Sequence, residues 1–172
     1  MKKIISVVAF VCLYMQVIAQ QTSIQDTIPA YLKTKQLPAF TLVTDIKKKD
    51  TTWFTQNNMP ANKPVVIIYF SPECGHCELE AKEIVKHMDS LRNAYFVFAS
   101  YHPVDKIQAF AEKYYLNKFS NITIGRDIQY FIPVFFKVKF TPFVAVYNSN
   151  KSLIKVYEQG SEMSELIQLV NQ

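Results

Sequence analysis

Residues 64 to 77 read Pro64-Val65-Val66-Ile67-Ile68-Tyr69-Phe70-Ser71-Pro72-Glu73-Cys74-Gly75-His76-Cys77. An unbroken β-branched and aromatic run after a proline is the pattern of a strand buried on both faces, so Val65 to Phe70 should lie in the middle of a sheet. Beyond Ser71-Pro72-Glu73 the period changes. Apolar residues at 77, 81, 84, 85, 88 and 91 recur at helical spacing and predict an amphipathic helix from about Cys74 to Leu91, with Cys74 at its opening.

Downstream, Tyr95 to Ala99 reads as a second buried strand. Pro103 opens a second helix with Val104, Ile107, Phe110, Ala111 and Tyr114 on one face. The order so far is β-α-β-α. Phe143 to Tyr147 and Leu153 to Tyr157 form a hairpin across Asn148-Ser149-Asn150-Lys151, where the asparagines are expected to supply the left-handed backbone of the turn. Gly160 closes the hairpin, and Ser161 is expected to cap a last helix bearing Met163, Leu166, Ile167 and Val170. Upstream, Phe40 to Thr44 and Thr52 to Thr55 make a second hairpin around a polar Asp45 to Asp50 stretch, and Lys47-Lys48-Lys49 reads as its solvated turn. Residues 121 to 140 assign to no single conformation, because Pro133 interrupts a segment dense in aromatics.

A chain of 172 residues that is 49% apolar and 14% aromatic has enough apolar surface for one compact domain and too much for a disordered tail. Only three glycines occur and no period is present, which excludes collagen-like, solenoid and low-complexity architectures. The formal charge of +5 includes Lys2 and Lys3, and the other basic residues are scattered along the chain, so no nucleic-acid partner is indicated. Met1-Lys2-Lys3, the apolar run Ile4 to Ile18 and the small residue Ala19 have the shape of a secretory signal peptide over residues 1 to 19. Ser6 and Gln16 interrupt that run, and about 20 apolar residues are needed to span a bilayer, so no stable membrane span is expected after cleavage. An N-terminal segment, residues 20 to 36, would then precede a domain over residues 37 to 172. Cys12 leaves with the signal, and the exported chain keeps Cys74 and Cys77, in a compartment, such as the periplasm, where disulfides persist.

Two cysteines three positions apart on the first turn of a helix can close a disulfide. Cys77 is in register with Ala81, Ile84 and Met88 and should point inward. Cys74 sits at the helix end, where unpaired N–H groups and the dipole favour a thiolate. Cys74 is the expected nucleophile and Cys77 the resolving thiol. As a structural staple the pair would close a loop so short that the entropy gain is on the order of 2 kcal/mol. As a zinc site it lacks a second cysteine pair, leaving His76, His87 and His102 as the other soft candidates. Redox chemistry is the favoured use of the pair, with no cofactor and no metal required. His76, between the cysteines, is expected to tune the thiolate; His87 and His102 read as surface or capping residues.

Cys74-Gly75-His76-Cys77 between a hydrophobic strand and a helix resembles the thioredoxin superfamily. The resemblance implies a thioredoxin-like three-layer α/β/α fold with a mixed central sheet, and it extends to Thr141-Pro142 before the strand at 143, which is similar to that superfamily's substrate-facing cis-proline. Leu37 to Leu42, the hairpin after it, Lys63 to Ile67 and Glu80 resemble the exported TlpA-like branch and imply an N-terminal β-hairpin extension. In that branch's pattern Glu80, three residues past Cys77, accepts the resolving thiol's proton, whereas read from the residues alone it is more simply a charge favouring the helix end. Ser71-Pro72-Glu73 departs from the aromatic-rich lead-in common in the superfamily. The implied activity is thiol-disulfide exchange with protein thiols or disulfides, sustained by a redox partner protein. The Gly75-His76 pair matches the motif of protein disulfide isomerase and implies a couple less reducing than thioredoxin, whose potential is about −270 mV. A thiol peroxidase and a soft-metal chaperone binding Cu(I) through the two thiolates are the competing readings. The aromatics Tyr130, Phe131, Phe135, Phe136 and Phe140 are expected in the core, with a hydrophobic rim near Pro142 as the alternative.

Overall fold

The computed structural model describes residues 28–45 and 52–172. The signal-like segment 1–19, Cys12 and the Lys47-Lys48-Lys49 turn lie outside the described residues. Among the described residues no helix is long and apolar enough to cross a membrane.

Seven strands form one mixed sheet: β1 (Thr41–Asp45), β2 (Thr52–Thr55), β3 (Val65–Tyr69), β4 (Tyr95–Ser100), β5 (Ile122–Arg126), β6 (Phe143–Tyr147) and β7 (Leu153–Tyr157), in the spatial order β2-β1-β5-β4-β3-β6-β7. β3 runs parallel to β4, with Ile67 opposite Val97, and antiparallel to β6, with Ile67 opposite Ala145. Its five residues are all buried, as the continuous apolar run requires.

Alternation sorts the strand residues into two cores. Val66, Ile68, Phe96, Phe98, Val144 and Val146 face one side and pack with residues of α2 (Gly75–Lys86), α3 (Met88–Leu91), α4 (Val104–Lys113) and α6 (Met163–Val170). Val65, Ile67, Tyr69, Val97, Ala145 and Tyr147 face the other side, under α5 (Phe131–Phe136) and the short α1 (Ala30–Thr34). The outcome is three layers, with the β1–β2 hairpin added at one edge through β5. The chain before residue 37 touches this body too: the Tyr31 ring lies 5.4 Å from that of Phe136, and Leu153 N–H donates to Lys35 O at 2.7 Å.

The segment left unassigned by pattern contains β5, parallel to β4 with Ile122 opposite Phe96, and α5. Pro133 is the third residue of α5, inside the first turn, where a missing N–H forfeits no helical bond. Asp127 fills the acceptor role for that turn. Its carboxylate takes the Phe131 N–H at 3.1 Å and the Ile132 N–H at 2.8 Å, and the side chain is 1% exposed. Gly125 is set by contact, since a Cβ there would stand 2.9 Å from Leu42 Cβ and 3.0 Å from Val43 O, where β1 crosses β5.

Three local expectations are corrected. The helix expected to run from Cys74 to Leu91 breaks at His87, which ends α2 and begins α3. In the β6–β7 turn Lys151 takes the left-handed conformation (φ 62°), while the Asn148 side chain accepts the Ser152 N–H. The last helix is capped by Glu162, whose carboxylate accepts the Glu165 N–H, and not by Ser161.

Replacing Asp127 by Ala strands two N–H groups at the buried start of α5 and should cost about 1 to 3 kcal/mol. Chemical denaturation checks this; a loss no larger than that of the exposed Asp105→Ala would contradict the capping role.

Candidate active site

β3 and β4 leave the sheet side by side, the ladder continuing one step further as Phe70 N–H donates to Ala99 O. The chain then turns through Ser71-Pro72-Glu73 into α2, with Cys74 as the extended N-cap residue (φ −101°, ψ 117°). Cys74 N–H donates to Ser71 O at 3.2 Å, and its Sγ donates to Thr141 O at 3.3 Å. This contact joins the start of α2 to the loop before β6, residues 67 positions apart. The Thr141–Pro142 peptide bond is cis, and Pro142 is buried.

The two thiols are free, half-buried at Cys74 and 1% exposed at Cys77. Cys77 shares the inward face of α2 with Ala81 and Ile84. Burial pushes the Cys77 thiol up to about 12, with the Ser71 N–H drawing it the other way. Burial also acts on Cys74, but hydrogen bonding from the Cys77 thiol and N–H, from the Thr141 side chain and from the His76 N–H outweighs it, and Cys74 lies below the ordinary thiol range. The pair is therefore electrostatically asymmetric.

His76 contributes to Cys74 through its backbone, while its ring is exposed. Gly75 is exposed, and a Cβ there would meet nothing within 4 Å. Neither packing nor backbone conformation requires glycine at that position.

Glu80 lies one turn beyond Cys77 on the same buried face, 7% exposed. Its carboxylate accepts the Ser161 N–H at 3.0 Å and the Ser161 hydroxyl at 2.5 Å. Burial raises its pKa, and the two Ser161 hydrogen bonds oppose the rise. Gly160 makes the approach feasible: its φ is +99°, and a Cβ would stand 3.0 Å from Glu80 Oε2 and 3.5 Å from Pro142 Cγ. The sequence carries the glycine as a visible signal, but reading it as a hairpin end hid its part in the site.

The aromatic cluster divides. Phe136 is buried, Phe131 and Phe135 pack partly against the core, and Tyr130 and Phe140 are exposed, Phe140 immediately before Thr141. Tyr130 and Val134, the latter 68% exposed, border an apolar cleft of about 470 Å³ that Phe131, Phe135 and Gln129 also line. His102, expected at the surface, is half-buried, its Nε2 lying 3.1 Å from Ser71 Oγ and its ring centroid 4.4 Å from that of Tyr101.

No protein-family profile matches the chain, and no curated protein does. Solved structures do. The Mycobacterium tuberculosis protein DsbF, determined in its mixed oxidized and reduced forms, is 25% identical over 84% of this chain and 98% of that chain, with a TM-score of 0.61. A secreted M. tuberculosis disulfide oxidoreductase homologous to E. coli DsbE is 22% identical over 81% of this chain and 97% of that chain, with a TM-score of 0.60. The M. tuberculosis peroxidoxin BcpB is 18% identical over 79% of this chain and 94% of that chain, at a TM-score of 0.63. The fold of the chain is that of the thioredoxin superfamily.

Alkylation of the reduced protein should go to Cys74 alone at neutral pH, its rate rising with pH through an inflection below that of an ordinary cysteine, while Cys77 stays unmodified until the pH nears 12. Mass mapping of the labelled residue checks the assignment, and faster labelling at Cys77 would reverse it.

Proposed function

We propose that the chain is an exported, TlpA-like thiol-disulfide oxidoreductase acting on protein disulfides. One observation carries this: the dithiol pairs an accessible sulfur with a depressed pKa and a buried sulfur with a raised one on the same helical turn. The Cys74 thiolate attacks a partner disulfide, a new S–S bond forms, and one partner sulfur leaves as a thiolate. Cys77 then loses its proton and attacks Cys74 Sγ. The second partner sulfur departs, the partner has gained two electrons, and Cys74 and Cys77 are joined. A redox partner protein returns the two electrons.

Glu80, one turn from Cys77 in the same buried layer, is the proposed acceptor of its proton, directly or through water. Phe140 and Thr141-Pro142, beside Cys74, are the proposed contacts for the substrate chain. The signal-like segment supports export, as does likeness to a protein described as secreted. The depressed Cys74 pKa stabilises the reduced form and supports a couple less reducing than thioredoxin's, which lies at about −270 mV. Peroxidoxins share the fold, so peroxide is the competing substrate.

In glutathione redox buffers the protein should form an internal Cys74–Cys77 disulfide with a midpoint above about −270 mV, and Cys77→Ala should stop at a mixed disulfide on Cys74. Peroxide consumption outpacing disulfide exchange, or an adduct on no cysteine, would refute the reading.

Glu80→Gln, which keeps one acceptor for Ser161 but takes no proton, should slow release of the second thiol by about ten- to a hundredfold. Attack by Cys74 should hold its rate. Unchanged release across a pH series would reduce Glu80 to a structural tie between α2 and Ser161.

A further inference from the structure

Ser161 is not used by the helix it precedes. Glu162 caps α6 with its own carboxylate, and the Ser161 hydroxyl turns instead to α2. It donates to Glu80 Oε1 at 2.5 Å, while the Ser161 N–H donates to Oε2 at 3.0 Å. Among the described residues no other group donates to that carboxylate, and no ion-pair partner reaches it. The Tyr157 hydroxyl, at the end of β7, is spent on Glu165 at 2.7 Å, and Glu83 on α2 adds only a like charge. A carboxylate 7% exposed thus has Ser161 alone in the place of water, and a buried charge without such bonds is costly. Glu80 follows Cys77 by three positions on the buried face of α2, and side chains so spaced are neighbours, with Cβ atoms about 5 to 6 Å apart. The backbone that delivers Ser161 also touches the substrate side, since a Cβ on Gly160 would stand 3.0 Å from Glu80 Oε2 and 3.5 Å from Pro142 Cγ.

We propose that Ser161 is a positioning residue for the second step of exchange: with one bond to each oxygen it fixes the Glu80 carboxylate in the layer shared with Cys77 and leaves each oxygen an acceptor position for the proton that Cys77 gives up. This rests on the oxidoreductase reading above, in which Glu80 is the acceptor. In that step the thiol proton passes to Glu80, the Cys77 thiolate attacks Cys74 Sγ, the bond from Cys74 to the partner sulfur breaks, and the partner leaves as a thiolate. A carboxylate offers about four lone-pair sites on its two oxygens, so two donors hold it without filling it. Bonds on different oxygens also fix the terminal torsion, which is broad in an unheld glutamate. Dipoles set in advance cost no reorganisation when the proton moves. The first step makes no demand on Ser161, because the charge on Cys74 is met by its own donors.

The test follows the reduced protein reacting with glutathione disulfide, with the two released glutathiones timed separately. Ser161→Ala keeps the N–H bond and, with Glu162 in place, leaves α6 capped. It should slow the second release at neutral pH by about tenfold and change the rate of Cys74 modification by less than about twofold. The hydroxyl bond favours the ionised carboxylate, so its loss should move the pH inflection of the second release upward. Ser161→Thr should recover most of the parent rate, and Ser161→Val, of the same shape without the hydroxyl, should not. In a Glu80→Gln background Ser161→Ala should slow the second release by less than about twofold further. Thermal midpoints verify folding, and the Thr and Val variants decide the matter if Ser161→Ala does not fold. Equal slowing of both steps, a full further slowing in the Glu80→Gln background, or equal rates for the Thr and Val variants would overturn the proposal while leaving Glu80 as acceptor. A parent protein that forms no glutathione adduct on Cys74 would instead overturn the oxidoreductase reading.

Discussion

Strand β3 is hydrogen-bonded along both edges and buried on both faces, and the geometry of the dithiol depends on where it stops. A strand so constrained has no freedom to slide or tilt, because a one-residue slip would exchange the two cores for each other. Its end therefore fixes Ser71, Ser71 fixes the start of α2, and α2 fixes both sulfurs. β6, bonded to the opposite edge of β3, brings Thr141 O to Cys74 Sγ from the other direction. Two segments distant in sequence meet at one sulfur because each is the continuation of a strand paired with β3.

The asymmetry of the two cysteines follows from that placement and needs no unusual residue between them. Helical geometry puts the second sulfur one turn inside the first, which removes it from water and from the donors at the helix end. Cys74 is also desolvated, yet it sits among N–H and thiol donors whose hydrogen bonds outweigh the desolvation. The His76 ring is exposed, and the residue acts on Cys74 through its backbone N–H, so the backbone of the first turn does much of what the intervening side chain was expected to do.

The parts of the fold legible in the sequence were those with a strong local period: the apolar run of β3, the helical spacing behind Cys77, and the two hairpins. Residues 121 to 140 were opaque because two elements of five and six residues are too short to show a period, and Pro133 lies inside the second. β5 carries, one residue before its end, a glycine demanded by β1, and α5 is preceded by an aspartate that accepts from N–H groups four and five residues on. The turn at 148–151 shows a different limit. Asparagine has the better intrinsic tolerance of left-handed backbone, but here Asn148 serves as a side-chain acceptor and Lys151, whose ammonium reaches Lys63 O at 2.7 Å, takes the strained position. Within the site, the cysteines and Thr141-Pro142 were visible as motifs, whereas Ser161 and Gly160 join it only through their approach to Glu80, 81 and 80 residues back. No local pattern encodes such distances.

Glu80 and Cys77 share one further constraint, which comes from their common burial. Each is pushed by desolvation toward its neutral form, so the layer beneath α2 tolerates one negative charge poorly and two much less. A proton passing from the Cys77 thiol to the Glu80 carboxylate leaves the number of buried charges unchanged: one anion disappears as the other forms. Loss of the same proton to bulk solvent would double the buried charge. On the proposed mechanism, the Ser161 hydrogen bonds favour the ionised Glu80 that can accept, and its burial lessens the cost of acceptance when the thiolate is required. The raised pKa of the carboxylate and the raised pKa of the thiol are then two consequences of one apolar layer in which both groups sit.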